Sequence, residues 1–456
     1  MKKIRLVEIG FLYLFVILSL FISFFIKDIY VYLSFICVLV PICYLVSLFN
    51  KYKLLHFEVS LIVFYILFFI IAPVFQLGHG YLPNTFPIDY SMVIYTNLNI
   101  TLFLVCYIIF RFVLFPIKKM DLVEKKYLKY ENIVMVLCTI IFITILIKYL
   151  PTLLNKIAYK DTVTFEADIS ETLIINKYFF SISIFLVSYY LYKVKNVKIK
   201  WSTIITMGIL LSLLLIVKNP FVEKRNALGP IYLSLCFFIF ERKLNVNKFF
   251  LWLTLVLIIL FPLSSIFTHS HFGLEDLFNG SIELKDYLNE LNYMEVFGSL
   301  HYDAWANFSA TIAYTRDYGF SFGKQLLGSL LFFIPREIWE AKPVSTGALI
   351  GDYLIGNYSM WFNNLSNPFP SEGYVNFGVF GVIFHALLLA IMGRYTKKLF
   401  LKQGYYSYIA WYITIHLIFL LRGDLMNGFA YLMGVILAIA ITPKIIDYFL
   451  VVFNKK

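Results

Sequence analysis

Runs of about 20 consecutive apolar residues recur along this chain, the length that the hydrocarbon core of a bilayer asks of a helix. They fall at 8–26, 30–49, 57–77, 92–115, 133–150, 172–191, 202–217, 227–240, 249–267, 374–392, 405–421 and 425–442. A barrel strand would instead alternate apolar and polar residues over about 10 positions. Without water to satisfy it, the backbone of a continuous apolar segment must close its hydrogen bonds internally, which makes each run a helix. The expectation is an all-α polytopic membrane protein of about 12 transmembrane helices. Composition agrees, since 14% of residues are charged where a soluble domain carries about 25%.

The net charge of +12 would point to nucleic acid in a soluble protein, but here the basic residues collect between the runs. Lys2, Lys3 and Arg5, Lys51 and Lys53, Arg111 and Lys118 to Lys129, Lys193 to Lys200, Arg242 to Lys248, Arg394 to Lys402 and Lys444 to Lys456 all fall on one side of a twelve-span chain. The positive-inside rule assigns that side, and both termini, to the cytoplasm. Met1 to Arg5 ahead of the first run reads as a signal anchor, because no small-residue cleavage site follows. The five cysteines all sit in apolar runs, so no disulfide framework is indicated.

One long polar interruption, 268–373, divides a nine-span region at 1–267 from a three-span region at 374–456. It becomes a large extracytoplasmic loop, with helix-compatible pieces at 284–292 and 302–315 whose aromatics suit a membrane surface. The apolar piece at 326–334, about nine residues long, is too short to cross and reads as re-entrant, ended by Pro335.

Four places carry residues suited to chemistry. The stretch 218–226 brings Arg225 to the edge of a span, either as part of a paired interfacial loop or as a grip for phosphate oxygens. Arg422-Gly423-Asp424 stands in a hairpin too short to wander; it either staples itself or offers a fixed cation to an anion. Arg336 and Lys342 flank Trp339 between two prolines that fix the local path. Trp339 and Trp361 are placed to stack on sugar rings or to act as interfacial aromatics. Glu372, just before a span, is a general base or a counter-ion to Arg336 or Arg422; Asp303 with His301 is a second acid–base pair. His269 and His271 lack a third ligand and read as a solvated loop, so no metal is expected. His385 and His416 lie within spans. No nucleotide or dinucleotide signature, HExxH or CxxC occurs, so no cofactor is expected either.

Three stretches together resemble the Wzy-type polysaccharide repeat-unit polymerases, which include O-antigen, enterobacterial common antigen and capsule polymerases. They are Glu223-Lys224-Arg225-Asn226-Ala227; the Phe-Ile-Pro-x-x-x-Trp-x-x-Lys-Pro pattern from Phe333 to Pro343 with Pro370-Ser371-Glu372-Gly373-Tyr374 and Asn376-Phe377-Gly378; and Leu421-Arg422-Gly423-Asp424. The chain departs from relatives in having Glu-Lys-Arg for Gly-Thr-Arg and Arg-Gly-Asp for Arg-Glu-Gly, so no role passes to Asp424. The resemblance implies a GT-C-like glycosyltransferase in the bacterial cytoplasmic membrane, working on its outer face on polyprenyl-diphosphate-linked oligosaccharide donor and acceptor. Arg225, Arg336, Arg422 and Lys342 would hold the diphosphate, with Glu372, Asp303 and Arg422 catalytic and Trp339 and Trp361 on the sugars. A chain-length regulator and a flippase are the implied partners. An O-antigen ligase-like transferase shares this layout, and a lipid-linked oligosaccharide flippase is the reading from another class; that one predicts charges inside the bundle.

Overall fold

The computed structural model describes residues 2–49, 52, 54–114, 126–158, 174–195, 200–220, 223, 225–260 and 296–454. Among them there is no strand. In chain order the helices are α1 (Lys2–Phe25), α2 (Ile29–Ser47), α3 (His56–Gly78), α4 (Tyr90–Leu114), α5 (Glu131–Ala158), α6 (Ile174–Val194), α7 (Trp201–Val217), α8 (Arg225–Phe240) and α9 (Val246–Ile259). The described part of the polar interruption then gives α10 (Ala304–Tyr318), α11 (Lys324–Leu330) and α12 (Thr346–Tyr358), and the chain ends with α13 (Phe369–Lys402), α14 (Tyr405–Arg422) and α15 (Leu425–Phe453). As far as it is described, each of the apolar runs falls on one of these helices. Seven helices (α2 to α6, α13 and α15) are long and apolar enough to cross a membrane, which makes this a multi-pass membrane protein.

Burial sorts the helices into layers. The apolar window of α3 is 94% buried, so it forms the centre, with α2, α9 and α14 packed on it. The windows of α5 and α15 are only 22% buried. Their apolar outward faces suit lipid rather than water. Short polar residues set several starts: Asp28 accepts from the backbone of Tyr30 and Val31, and Asp89 from Ser91, satisfying donors that a first turn leaves open.

The described part of the polar interruption, 296–373, is not a separate external mass. The helix at 302–315, expected on a membrane surface, is α10, and its residues from Ala304 to Ala313 are buried in the bundle. Ala304, Ala306, Ser309 and Ala310 are small, which lets neighbouring backbones approach closely. Trp305 stacks on Phe35 with ring centroids 6.4 Å apart and donates from Nε1 to Asn97 Oδ1 at 2.8 Å. Thr96 and Ser309 hydroxyls meet at 3.0 Å. The short segment at 326–334 becomes the seven-residue α11 and a set of turns. At 1.5 Å per residue, α11 spans only about 10 Å. The piece at 284–292 lies outside the described residues.

A correction concerns the span expected to begin at Tyr374. Phe377 and Gly378 leave helical geometry, and Gly378 takes φ +60° and ψ −140°. Beyond them the chain doubles back. Gly373 lies against the backbone of Gly381, and a Cβ built on Gly373 would sit 2.8 Å from His385 Nδ1. Phe369 meets His385 with centroids 4.9 Å apart. In one straight helix residues 373 and 381 would stand about 12 Å apart. So α13 is a hairpin: a short arm, 369–376, returns along a long arm, 379–402. The pairs Tyr95–Tyr374 and Phe103–Phe369 confirm that the short arm runs antiparallel to α4. Glu372 therefore lies about one turn, roughly 6 Å, below the hairpin tip rather than above a span. α12 leads into this fold-back, its Gly347 and Gly351 pressed on the carbonyls of Leu365 and Asn363. Hydrophobic patterning marks apolar content, not direction, which is why the sequence read the short arm as the start of a span.

At the opposite, basic end, Arg111 Nε donates to Glu58 Oε1 at 2.8 Å, and each side chain is 1% exposed. Tyr107 donates to the same oxygen at 3.3 Å.

Candidate functional site

The turn between α14 and α15, the start of α12, the short arm of α13 and the start of α10 converge below the hairpin tip. Two carboxylates join these pieces. Glu372 Oε2 accepts from Thr346 Oγ1 at 2.7 Å, and Oε1 from the Leu425 backbone at 3.0 Å. Asp424 Oδ1 caps α15 by accepting from Asn427 N at 3.2 Å, while Oδ2 accepts from Gly347 N at 3.2 Å. Both acids thus sit at the N-terminal ends of α12 and α15, where the helix dipole favours negative charge. Glu372 is 1% exposed and Asp424 6%.

Arg422 does not pair with Asp424. Its Nε donates to the His301 carbonyl at 2.9 Å and its Nη2 to the Leu300 carbonyl at 3.0 Å, with Asp303 Oδ1 at 3.5 Å. Asp303 is itself held: Ser366 Oγ donates to Oδ1 at 2.5 Å and Asn307 Nδ2 to Oδ2 at 2.9 Å. Asn84 Nδ2 donates to Asn307 Oδ1 at 2.9 Å, tying the group to the loop before α4. Burial pushes the Asp303 carboxyl above the usual range, and the Arg422 guanidinium pulls it back.

On the other flank of α15 lies an apolar groove of about 390 Å³. Met426, Ala430, Gly434 and Leu437 form one wall along α15; 332–337 and Lys342 form the second; Ile174, Lys177 and Tyr178 of α6 form the third. From Met426 to Leu437 the wall runs about 16 Å. Arg336 and Lys342 stand at its upper end. Lys342 Nζ donates to the carbonyls of Phe332 and Ile334, both at 2.7 Å, while Arg336 donates to those of Lys342 at 2.8 Å and Pro343 at 3.3 Å. The loop braces itself, and the exposed Arg336 is presented on a fixed backbone. Burial and Arg336 lower the Lys342 ammonium below the ordinary lysine range. Deeper in the groove, the Lys177 ammonium stands 4.5 Å from the Tyr431 ring centroid.

The sequence-derived residues therefore divide. Arg336 and Lys342 share the groove; Arg422 and Asp303 form a second group; Glu372 joins Asp424 between them. Arg225 begins α8, and the turn ahead of it abuts the groove, since Asn176 Nδ2 reaches Glu223 at 3.3 Å and Lys218 Nζ donates to Asn176 Oδ1 at 2.8 Å. Trp339 is half-buried and Trp361 is 72% exposed; neither lines the groove. His269 and His271 lie outside the described residues. Among the described residues, no three His, Cys, Asp or Glu side chains gather to hold a metal ion. Lys177 went unnoticed in the sequence although a lysine at the edge of an apolar run was a visible signal. Asn307 and Ser366 carried none.

No family model, curated protein or solved structure matches this chain.

Proposed function

We propose that this chain is a GT-C-like membrane glycosyltransferase of twelve spans. It joins polyprenyl-diphosphate-linked oligosaccharide units into surface polysaccharide on the outer face of the bacterial cytoplasmic membrane. The observation that carries this reading is the groove: fixed cations at its head and apolar walls along α15 and α6 below them, which Gly434 brings together by letting the Lys177 backbone close against α15. That is the shape of an anionic headgroup on a long hydrocarbon. Arg336 and Lys342, with Arg225 at the start of α8, take up the charge on the diphosphate as the acceptor hydroxyl oxygen bonds to the anomeric carbon, the bond to diphosphate breaks, and the hydroxyl proton passes to the departing diphosphate. Arg422 supplies a further cation from the opposite flank. Trp339 and Trp361 offer faces to the sugars outside the groove. Glu372 and Asp303 have both carboxylate oxygens engaged within the protein. The reading therefore rests on the cations and gives these acids the task of holding the site. The positive-inside rule places the groove end outside and both termini in the cytoplasm.

The deciding experiment is reconstitution with a defined lipid-linked repeat unit, products read on a gel. A ladder is expected. Transfer of a single finished glycan to a different acceptor would instead identify a ligase. The buried Glu58–Arg111 pair favours a flippase; cysteine accessibility alternating between the two faces would establish that reading.

A further inference from the structure

The Arg422 guanidinium is held along one edge. Its Nε and Nη2 are taken by the carbonyls of His301 and Leu300, and Asp303 Oδ1 stands beside Nη2. Among the described residues Nη1 has no partner, and the side chain is 18% exposed where Asp303 is only 2%. The exposed part of the pair is thus the cation, and the buried part is the acid. Behind Asp303 the support continues inward through Ser366, Asn307 and Asn84.

We propose that Asp303 is a positioning residue for Arg422: with the two carbonyls it forms a cup that holds the guanidinium by its Nε–Nη2 edge and leaves Nη1 facing outward to take an anionic oxygen. The site needs no rearrangement to bind, because the cup fixes the long arginine side chain before the anion arrives. That the anion is a lipid-linked diphosphate rests on the function proposed above. The cup itself does not.

The test uses the purified full chain in detergent. In Arg422→Ala the cup stands empty and free guanidinium ion fits it, so millimolar guanidinium raises the melting temperature while urea, of similar shape and no charge, does not. Adding Asp303→Asn to Arg422→Ala abolishes that stabilisation. Inorganic pyrophosphate probes the outward edge. Arg422→Ala weakens its binding about tenfold or more, Asp303→Asn weakens it nearly as much, and the double variant is no worse than Arg422→Ala alone. Should Asp303→Asn fail to fold, Ser366→Ala keeps both charges and removes only the hydroxyl on Oδ1; it lowers pyrophosphate affinity a few-fold when Arg422 is present and not when it is absent. Pyrophosphate binding indifferent to Arg422→Ala, additive losses in either double variant, or guanidinium stabilisation that survives Asp303→Asn would each overturn the proposal. None of these readouts uses a glycan. A chain that shows them yet builds no ladder refutes the polymerase reading alone.

Discussion

Gly373 and Gly381 pack backbone to backbone across the turn at Phe377 and Gly378, and this contact is what places Glu372 inside the bundle. A hairpin this tight has no room for a side chain at either position. The acid that joins α12 to α15 therefore owes its location to two residues that have no side chain at all.

Replacing Gly381 by Ala drives a methyl group into the Gly373 carbonyl. Overpacking of this kind costs about 1–3 kcal/mol. Gly378→Ala, at a φ that L side chains avoid, costs a similar amount. Gly356→Ala is the control: nothing lies within 4 Å of its built Cβ, and it sits in the last turn of α12. There alanine should stabilise by about 0.5–1 kcal/mol. Melting curves in detergent give the order, and equal effects at the three positions would contradict the hairpin.

Arg336→Ala and Arg422→Ala should each abolish long polymer while the protein still reaches the membrane. Each removes one cation from the proposed charge-stabilising set, a class of change that costs about 100- to 1,000-fold in rate. Immunoblots of membranes beside polysaccharide gels give both readouts. Wild-type chain lengths in the two variants would refute the assignment.

Lys342 makes the groove pH-sensitive in a direction that can be worked out. Lysine is charged below its pKa, and burial together with neighbouring Arg336 lowers that pKa from the ordinary 10.5. As pH rises the charge is lost earlier than on a free lysine, so anion binding in the groove weakens at a pH where most lysines are still charged. In Lys342→Arg the cation persists and pyrophosphate affinity should hold flat over the same range. A decline identical to wild type would place the titrating group elsewhere.

The helices were legible in the sequence because apolar runs of about 20 residues leave the backbone no alternative. The groove loop was also legible: Pro335 and Pro343 announced a fixed path, and Arg336 and Lys342 were visible between them. Pairing was not. Asp424 adjoins Arg422 in sequence yet turns to cap α15, while the partner of Arg422 comes from 119 residues away. Nor was direction legible, because Pro370 to Asn376 has the composition of a span entrance whichever way it runs. The fold-back rests on close approach between glycines eight residues apart, and no periodicity records that.

Glu372→Gln separates holding from proton transfer. The amide oxygen can still accept from Leu425 N, and the amide nitrogen can face Thr346 Oγ1, so the join between α12 and α15 survives. Polymer should be made at near wild-type length. Glu372→Ala leaves the Leu425 N–H and the Thr346 hydroxyl without that partner in a buried place, at about 1–3 kcal/mol for each stranded group. Its melting temperature should fall well below that of Glu372→Gln. A Gln variant that folds normally but makes no polymer would restore Glu372 as the base.

Arg111 and Glu58 pair at the end of the bundle away from the groove. Each is 1% exposed, and Arg111 lies on the π turn that ends α4. Two charges taken so far from water are stable only as a pair. Removing one alone strands the other, so Arg111→Ala or Glu58→Ala should each cost about 3–5 kcal/mol. Replacing both by apolar residues of similar size, Arg111→Met with Glu58→Leu, should restore most of that stability. The double variant also bears on function. A polymerase working at the far end keeps its ladder in Arg111→Met/Glu58→Leu once folding is restored. A transporter that opens and closes through this pair loses transport even though it folds. Thermal melts and product gels on the same four proteins separate the two cases.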